Sequence, residues 1–322
     1  MNKRKKREIV GVILAAGKGT RLEPFSRRFP KPILPICNKP ILQYQIETMR
    51  DLGIKKIMIV ISHLGFEISR SLGDGEEFGV EIQYIDQGET LGIAHAVGRL
   101  ESRISTPFLL FLGDIFFLTK DLSIMLSLLE RKNTSAVLAV KKEDNLEAIK
   151  RNFAVILDRK GLVKRVIEKP RYVTNKLKGC GLYLFDLNIF DAIRRTPRTA
   201  MRDEYEITDA IQILVDDGFN VNAAEVVEWD LNVSYPPDLL EGSLQMLKAQ
   251  KKRKIIGENV KLHPDTRVIN TVIGKNVRVT KPITIKNSVI FPDTEIHHKK
   301  DMNRMIITPD TVINCEDYRE ES

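Results

Sequence analysis

Ile9 to Leu14 is a short apolar run, and the chain then turns through Ala-Ala-Gly-Lys-Gly-Thr to reach Arg21. A run of that kind reads as a strand buried on both faces, as in a parallel sheet. Gly17 and Gly19 let backbone N–H groups turn toward a polyphosphate with no Cβ in the way, and Arg21 and, ten residues on, Lys31 bring mobile cations beside it. Leu14 to Pro40 therefore reads as an anion-binding loop. Two familiar phosphate loops are excluded: Lys18 is followed by Gly19 rather than Ser or Thr, and Leu22 stands where the dinucleotide fingerprint needs its third glycine. Lys18, inside the loop, is a weaker candidate contact than Arg21 or Lys31.

Downstream, Lys56 to Ile61, Val80 to Ile85 and Phe108 to Leu112 read as strands, and Ile41 to Leu52 and Leu91 to Leu100 as helices. That is the βαβ rhythm of a doubly wound sheet, whose ligands sit outside the carboxyl ends of the strands. From Ser135 to Phe185 the texture turns hairpin-like, with strands at Phe153 to Leu157 and Leu162 to Ile167 and Gly161 between them. An α/β doubly wound mixed sheet with an inserted substrate lobe fits this change. Helical patterns return at Ile207 to Asp217 and Pro237 to Lys252.

Beyond the basic stretch Lys248, Lys251, Lys252, Arg253 and Lys254, aliphatic residues recur six apart at Ile256, Leu262 and Val268, then at Ile273 and Val279. In IGENVK, LHPDTR and IGKNVR each aliphatic residue would fill the corner of a coil while polar residues make the turns, which predicts a short left-handed parallel β-helix of about three coils. The register breaks between Val268 and Ile273. The expected division is residues 1–250 as the main domain, with 1–7 a basic tail, and 255–315 as the β-helix.

At 322 residues the chain can bury a substantial core, and 43% hydrophobic residues is ordinary for a soluble protein. No apolar run approaches the roughly eighteen residues of a membrane span, and MNKRKKR has no signal-peptide core behind it. No membrane partner and a cytoplasmic setting are expected. Cys37, Cys180 and Cys315 are scattered and odd in number, which argues against a disulfide framework or a zinc site. Of the net charge of +8, five units sit in Lys3 to Arg7, so the body is nearly balanced. With no basic face interleaved with aromatics, nucleic acid is not an expected partner.

Phe111-Leu112-Gly113-Asp114 ends an apolar strand with a carboxylate, whose desolvation must be met by a cation or water. Mg²⁺ held by one or two protein oxygens plus phosphates is the expected cation. Together with GxGTRL and PKPILP, this order of motifs resembles the sugar-1-phosphate nucleotidyltransferases, the enzymes that make NDP-sugars. Ile167-Glu168-Lys169-Pro170 resembles that family's EKP motif, Cys180 to Asp186 its GLYxFD strand, Glu206 to Asp209 its EITD segment, and Gln87 to Ala96 its base-recognition loop. The resemblance implies that Arg21, Lys31 and Asp114 are catalytic, and that Leu14, Ala15, Ala16, Gly17, Gly19, Thr20, Gln87 and Gly92 bind the nucleotide. It implies that Glu168, Lys169, Gly181 and Tyr183 bind the sugar phosphate. The metal falls to Asp114 and Asn232, the latter placed by Trp229-Asp230-Leu231-Asn232 ahead of a Pro-Pro-Asp-Leu segment. Asp230, two residues earlier and on the same side of a strand, is the alternative.

The implied reaction joins a nucleoside triphosphate, dTTP or UTP, to a sugar 1-phosphate, with glucose 1-phosphate the first to try. In-line attack on the α-phosphorus gives an NDP-sugar and pyrophosphate. Two anions meet, so the site must neutralise charge and hold the reactants in line, and no nucleophilic side chain is required. Arg21 suits the departing pyrophosphate through planar multi-point hydrogen bonding, and Lys31 suits the phosphates as a point charge. The alternatives are an N-acetylglucosamine-1-phosphate uridylyltransferase-like enzyme and a non-catalytic regulatory homologue that binds nucleotide sugars. Arg21, Lys31, Asp114 and Lys169 together argue against the second. One departure bears on the sugar: Phe153-Ala154-Val155-Ile156 stands where the family has aromatic-Gly-Val-Val. A homo-oligomer is expected, with the β-helix serving assembly and stability.

Overall fold

The computed structural model describes residues 8–17, 19–23, 25, 30–62, 65–200 and 202–318, so the basic tail 1–7 and Lys18 lie outside the described residues. The chain falls into two compact units, residues 1–17 with 45–230 and residues 18–44 with 231–322.

In the first unit β1 (Val10–Leu14), β2 (Lys56–Ile61), β3 (Glu81–Asp86) and β4 (Phe108–Leu112) run parallel. β1 and β4 are almost wholly apolar because both of their faces are covered. On one face lies α1 (Ile41–Asp51), and a Cβ at Gly11 would stand 2.5 Å from the Met49 sulfur, so glycine sets how closely helix and strand approach. On the other face Val12, Val60, Phe108 and Leu110 share a core with α2 (Ile93–Gly98), α3 (Asn188–Arg195) and α4 (Ile207–Asp216). The sheet is completed by β6 (Thr134–Lys142), β7 (Phe153–Leu157), β8 (Val163–Glu168), β9 (Leu177–Phe185) and β10 (Asn220–Ala224), while β5 (Ile115–Thr119) and β11 (Val227–Asn232) form a separate ribbon. The strand order is β8-β7-β9-β4-β1-β2-β3, with β6 bonded to both β9 and β10. β9 runs antiparallel to β4, β6 and β7, which makes the sheet mixed, as the sequence predicts. The order reverses at β1, with β2 on one side and β4 on the other. Ligands of such sheets bind at that reversal.

In the second unit, residues 254–307 wind as a left-handed parallel β-helix. Each rung pairs with the one 17 positions on: Lys254 with Thr271, Arg278 with Glu295, Ile285 with Met302. The corner residues run 256, 262, 268, 273, 279, 285, 290, 296, 302 and 307, in repeating steps of six, six and five. The register break of the sequence is thus the short side of every coil. Asn270 and Asn287 turn corners at φ 46°, a conformation that asparagine tolerates, and Asn270 donates to Asn287 and Asn287 to Asn303 at 2.9 Å each. Val312–Asn314 pairs antiparallel with Met305–Ile307 and closes the last strand edge on that side. Outward-facing Val272, Val289 and Ile306 are buried. Here α5 (Pro236–Ala249) packs on Met305–Ile307, Phe25 stacks on Phe291 at 5.5 Å, and Asn38 Nδ2 donates to the Ile273 carbonyl at 2.8 Å.

Candidate active site

β1 and β4 are parallel neighbours in register, with Leu14 opposite Leu112, and both strands end at the reversal point of the sheet. The Gly113 N–H donates to the Leu14 carbonyl at 2.8 Å, and a Cβ on Gly113 would stand 2.8 Å from that oxygen and 3.3 Å from the Ala15 Cα. Only glycine permits this approach, and it sets Leu14, Ala15, Ala16 and Gly17 beside the turn that carries half-buried Asp114. Gln45, buried in α1, donates from Nε2 to the carbonyls of Leu112 and Ile115, 2.9 Å each. The two residues between those carbonyls are Gly113 and Asp114, so one amide clamps the turn from both sides. Nothing in the sequence marks Gln45 for this, because its partners lie 67 and 70 residues away.

Glu168 ends β8 and Lys169 follows at φ 39°, a left-handed conformation in a residue that precedes proline, held by its N–H donating to the Asn152 carbonyl at 2.7 Å. Such strain persists only where the surroundings impose it, and it clusters at functional sites. Arg202 bridges the carboxylates of Glu168 (3.4 Å) and Glu206 (3.0 Å), and the Thr208 hydroxyl donates to Glu168 at 3.3 Å. Arg202 is a candidate anion contact that the sequence reading missed, since only the fold brings it to a carboxylate 34 residues away.

Burial raises the Glu168 pKa above the ordinary glutamate value of 4.5, and Glu206 raises it further, against Lys169 and Arg202. The folded chain then keeps this proton to higher pH than the unfolded chain, so its contribution to stability falls as pH rises from the ordinary carboxyl range through the raised native value. Glu168→Gln is expected to be more stable than wild type at pH 7 and to lose this component. Urea midpoints measured from pH 4 to 7 check it, and a variant that is less stable at pH 7 contradicts the stated origin of the shift.

Two expected sugar contacts lie in the core. Tyr183 is 2% exposed and its ring stacks between Phe153 (6.0 Å) and Phe185 (5.6 Å). Gly181, at φ 67°, sits where a Cβ would meet Ile115 at 2.6 Å. Ala154 is buried too, paired with Ile167 and Lys178. Gln87 follows β3 and is 6% exposed. At Gly92 the space of a side chain is held by the Tyr205 backbone, 2.5 Å from where a Cβ would be, so this glycine admits the segment before α4.

Arg21, Lys31 and Asn232 belong to the second unit. Thr20–Leu22 is a single 3₁₀ turn entered through Gly19 at φ 62°, and the bare Cα of Gly19 lets the Lys31 stem pass, with a Cβ there only 3.2 Å from that of Lys31. Lys31 is 7% exposed, and its Nζ donates to Asn232 Oδ1 at 3.2 Å. Arg21 is exposed, its guanidinium 5.3 Å from the Tyr235 ring centre and 3.5 Å from the Tyr235 hydroxyl. Tyr235 is a second residue that sequence reasoning missed.

Asp230 is committed elsewhere. Its carboxylate is 3% exposed and meets Lys178 at 2.7 Å and Lys141 at 3.0 Å, with Glu143 completing a group of two cations and two anions. Burial opposes the charge on Lys141, yet Asp230 and Glu143 hold its pKa above the ordinary lysine value. Both oxygens of Asp230 are thus engaged by ammonium groups. Among the described residues no group of three or more His, Cys, Asp or Glu side chains is arranged to hold a metal. Asp114, a hard oxygen donor at a turn, fits a divalent ion that completes its shell with phosphate oxygens.

Residues 10–246 match the Nucleotidyl transferase family, and residues 247–317 match the GlmU-like C-terminal hexapeptide family. The low-salt glycan biosynthesis nucleotidyltransferase Agl11 of Haloferax volcanii is 35% identical over 254 residues, 77% of this chain and 70% of that protein. The UTP–glucose-1-phosphate uridylyltransferase AglF of the same organism is 35% identical over 227 residues, 70% of this chain and 92% of that protein. A UDP-glucose pyrophosphorylase crystallised with UDP-glucose shares the fold, with a TM-score of 0.66 at 23% identity over 75% of this chain and 99% of that one. On the match over residues 10–246 and the loop, turn and strand-end residues it contains, the chain belongs to the nucleotidyl transferase family.

Proposed function

We propose that the protein transfers a nucleotidyl group from UTP or dTTP to a sugar 1-phosphate, with glucose 1-phosphate the first candidate, releasing pyrophosphate. The observation that carries the reading is the pairing of the β1 loop with the Asp114 turn at the reversal point of the sheet. The proposed nucleotide contacts are Leu14 to Gly17, Gly19, Thr20 and Gln87, with Gly92 supporting the loop that follows Gln87. Arg21 and Lys31 meet the triphosphate: Arg21 stabilises the charge that gathers on departing pyrophosphate, and Lys31 holds the phosphates in line. Asp114 would hold Mg²⁺ together with the nucleotide's own oxygens, and the ion would neutralise phosphate charge. Lys169, with Arg202 beside it, receives the sugar phosphate, and Glu168 meets the sugar hydroxyls. The sugar-phosphate oxygen is already ionised near neutral pH, so the chain needs no general base. The proposed division is a transferase domain of residues 1–250 and a β-helix domain of residues 255–315 that serves assembly into a homo-oligomer, acting in the cytoplasm. No helix among the described residues is long and apolar enough to cross a membrane.

Pyrophosphate release measured with each of the four nucleoside triphosphates and with glucose 1-phosphate and N-acetylglucosamine 1-phosphate tests the reading. A preference for the acetylated sugar favours the GlmU-like alternative, and release with no sugar phosphate overturns the proposal. Lys169→Ala is expected to raise the KM for the sugar phosphate by about tenfold or more, as the loss of a charge-assisted contact does, and to change the nucleotide KM little. Equal effects on both substrates would place Lys169 elsewhere.

A further inference from the structure

Tyr235 stands between Arg21 and a segment that follows the last coil of the β-helix. Its backbone is pinned at the entry of α5: Asp238 accepts from the Ser234 N–H at 2.7 Å and the Tyr235 N–H at 2.8 Å, and Pro236 and Pro237 open the helix with φ already set. The Arg21 guanidinium carbon lies 5.3 Å over the centre of the Tyr235 ring, within reach of cation–π attraction, and Nη1 is 3.5 Å from the hydroxyl, the outer limit of a hydrogen bond. Tyr318 packs on the same ring, 6.5 Å between centroids and tilted by 57°.

A side-chain-built turn brings Tyr318 to that place. Once Val312–Asn314 has paired with Met305–Ile307, the Cys315 N–H donates to the Arg304 carbonyl at 2.9 Å and the Glu316 N–H to Asn314 Oδ1 at 3.1 Å. Asn314 Nδ2 donates to the Asp317 carboxylate, and the Glu316 carboxylate accepts from Asn303 at 2.7 Å. Every residue from 314 to 317 is held by at least one of these bonds, two of them to residues 303 and 304 of the preceding strands.

We infer that Tyr235 and Tyr318 are positioning residues for Arg21, so that the segment after the last coil takes part in the reaction. The inference rests on the transferase reading. An aromatic ring suits this place better than a carboxylate. A carboxylate would occupy the planar N–H fork that meets phosphate and set a negative charge against the triphosphate, whereas a ring attracts the cation through its π face and carries no net charge. Arg21 is exposed and has many rotamers, and a ring fixed at the α5 entry and backed by Tyr318 narrows them. A donor already in place needs no reorganisation when pyrophosphate departs.

The test is steady-state turnover of the full chain with the substrate pair that the wild type uses fastest, beside the constant for product inhibition by inorganic pyrophosphate. Assays are run well below each variant's thermal midpoint, so unfolding does not enter the comparison. Tyr235→Leu, which fills the space without a π face, is expected to lower turnover by about fivefold or more and to weaken pyrophosphate inhibition by about threefold, with the KM for the sugar 1-phosphate changed by less than about twofold. Tyr235→Phe, which keeps the face and loses the hydroxyl, should retain turnover within about twofold of wild type. Tyr318→Ala is expected to lower turnover by about threefold alone, and by less than about 1.5-fold when Tyr235→Leu or Arg21→Ala is already present, since its effect passes through both. The inference is overturned if Tyr235→Leu and Tyr235→Phe behave alike, or if the Tyr235→Leu effect is undiminished in an Arg21→Ala background. Unaltered turnover in Tyr318→Ala overturns the part assigned to Tyr318. A wild-type chain that turns over no pair of nucleoside triphosphate and sugar 1-phosphate overturns the transferase reading itself, and that result is seen before any variant is compared.

Discussion

Asp114→Asn is expected to lower turnover by on the order of 10³ while leaving the thermal midpoint within about 2 °C of wild type. The substitution keeps the shape of the turn, the Gly113 approach to Leu14 and the Gln45 clamp, and removes one negative charge. Asp114 is the proposed carboxylate of the metal, so the phosphates would lose their neutralising ion just as two anions are brought together. Steady-state turnover at saturating magnesium, beside a thermal melt, checks this. Turnover within tenfold of wild type would remove Asp114 from the chemistry.

The second large effect is on stability. Asp230→Ala is expected to destabilise the fold by about 3–5 kcal/mol, because it strands a buried ammonium whose closest anion is gone. Lys178 is 4% exposed, and its remaining carboxylate, Glu143, stands 3.8 Å away. The double variant Lys178→Met with Asp230→Leu should be more stable than either single change, since an apolar pair of similar size needs no neutralisation. Chemical unfolding of the three variants measures this. If Asp230→Ala costs less than about 1 kcal/mol, the group is solvated and its charges are not coupled as the distances indicate.

The sheet was legible because β1 and β4 are apolar throughout, a pattern that a two-faced covered strand imposes and that few other structures share. The hairpin of β7 and β8 was legible from Gly161, at φ 79°, in the turn between two alternating runs. The β-helix was legible as a period, and its irregular step was not, because a five-residue side looks like lost register until the coils are stacked and seen to repeat it every 17 residues. In the candidate site, the loop glycines and Asp114 announce themselves by local chemistry, and the EKP turn by its resemblance to a family motif. Gln45, Arg202 and Tyr235 do not, since each acts by touching a residue at least 34 positions away, and no window of sequence contains both partners. Gly181, Gly92 and Tyr183 belong to recognisable motifs, and what the motifs do not show is their packing, against Ile115, Tyr205 and two phenylalanines respectively.

The contacts of Phe25 with Phe291 and of Asn38 with the Ile273 carbonyl tie the stretch that carries Arg21 and Lys31 to coils more than 230 residues later. A terminal repeat array is usually the easiest part of a protein for a lineage to lengthen, shorten or trade. In this chain a trade would have to supply a new ring for Phe25 and a new acceptor for Asn38 at the moment it happened, or leave the cation-bearing loop without its backing. The two stretches are therefore expected to change together, so that related chains that differ in one should differ in the other.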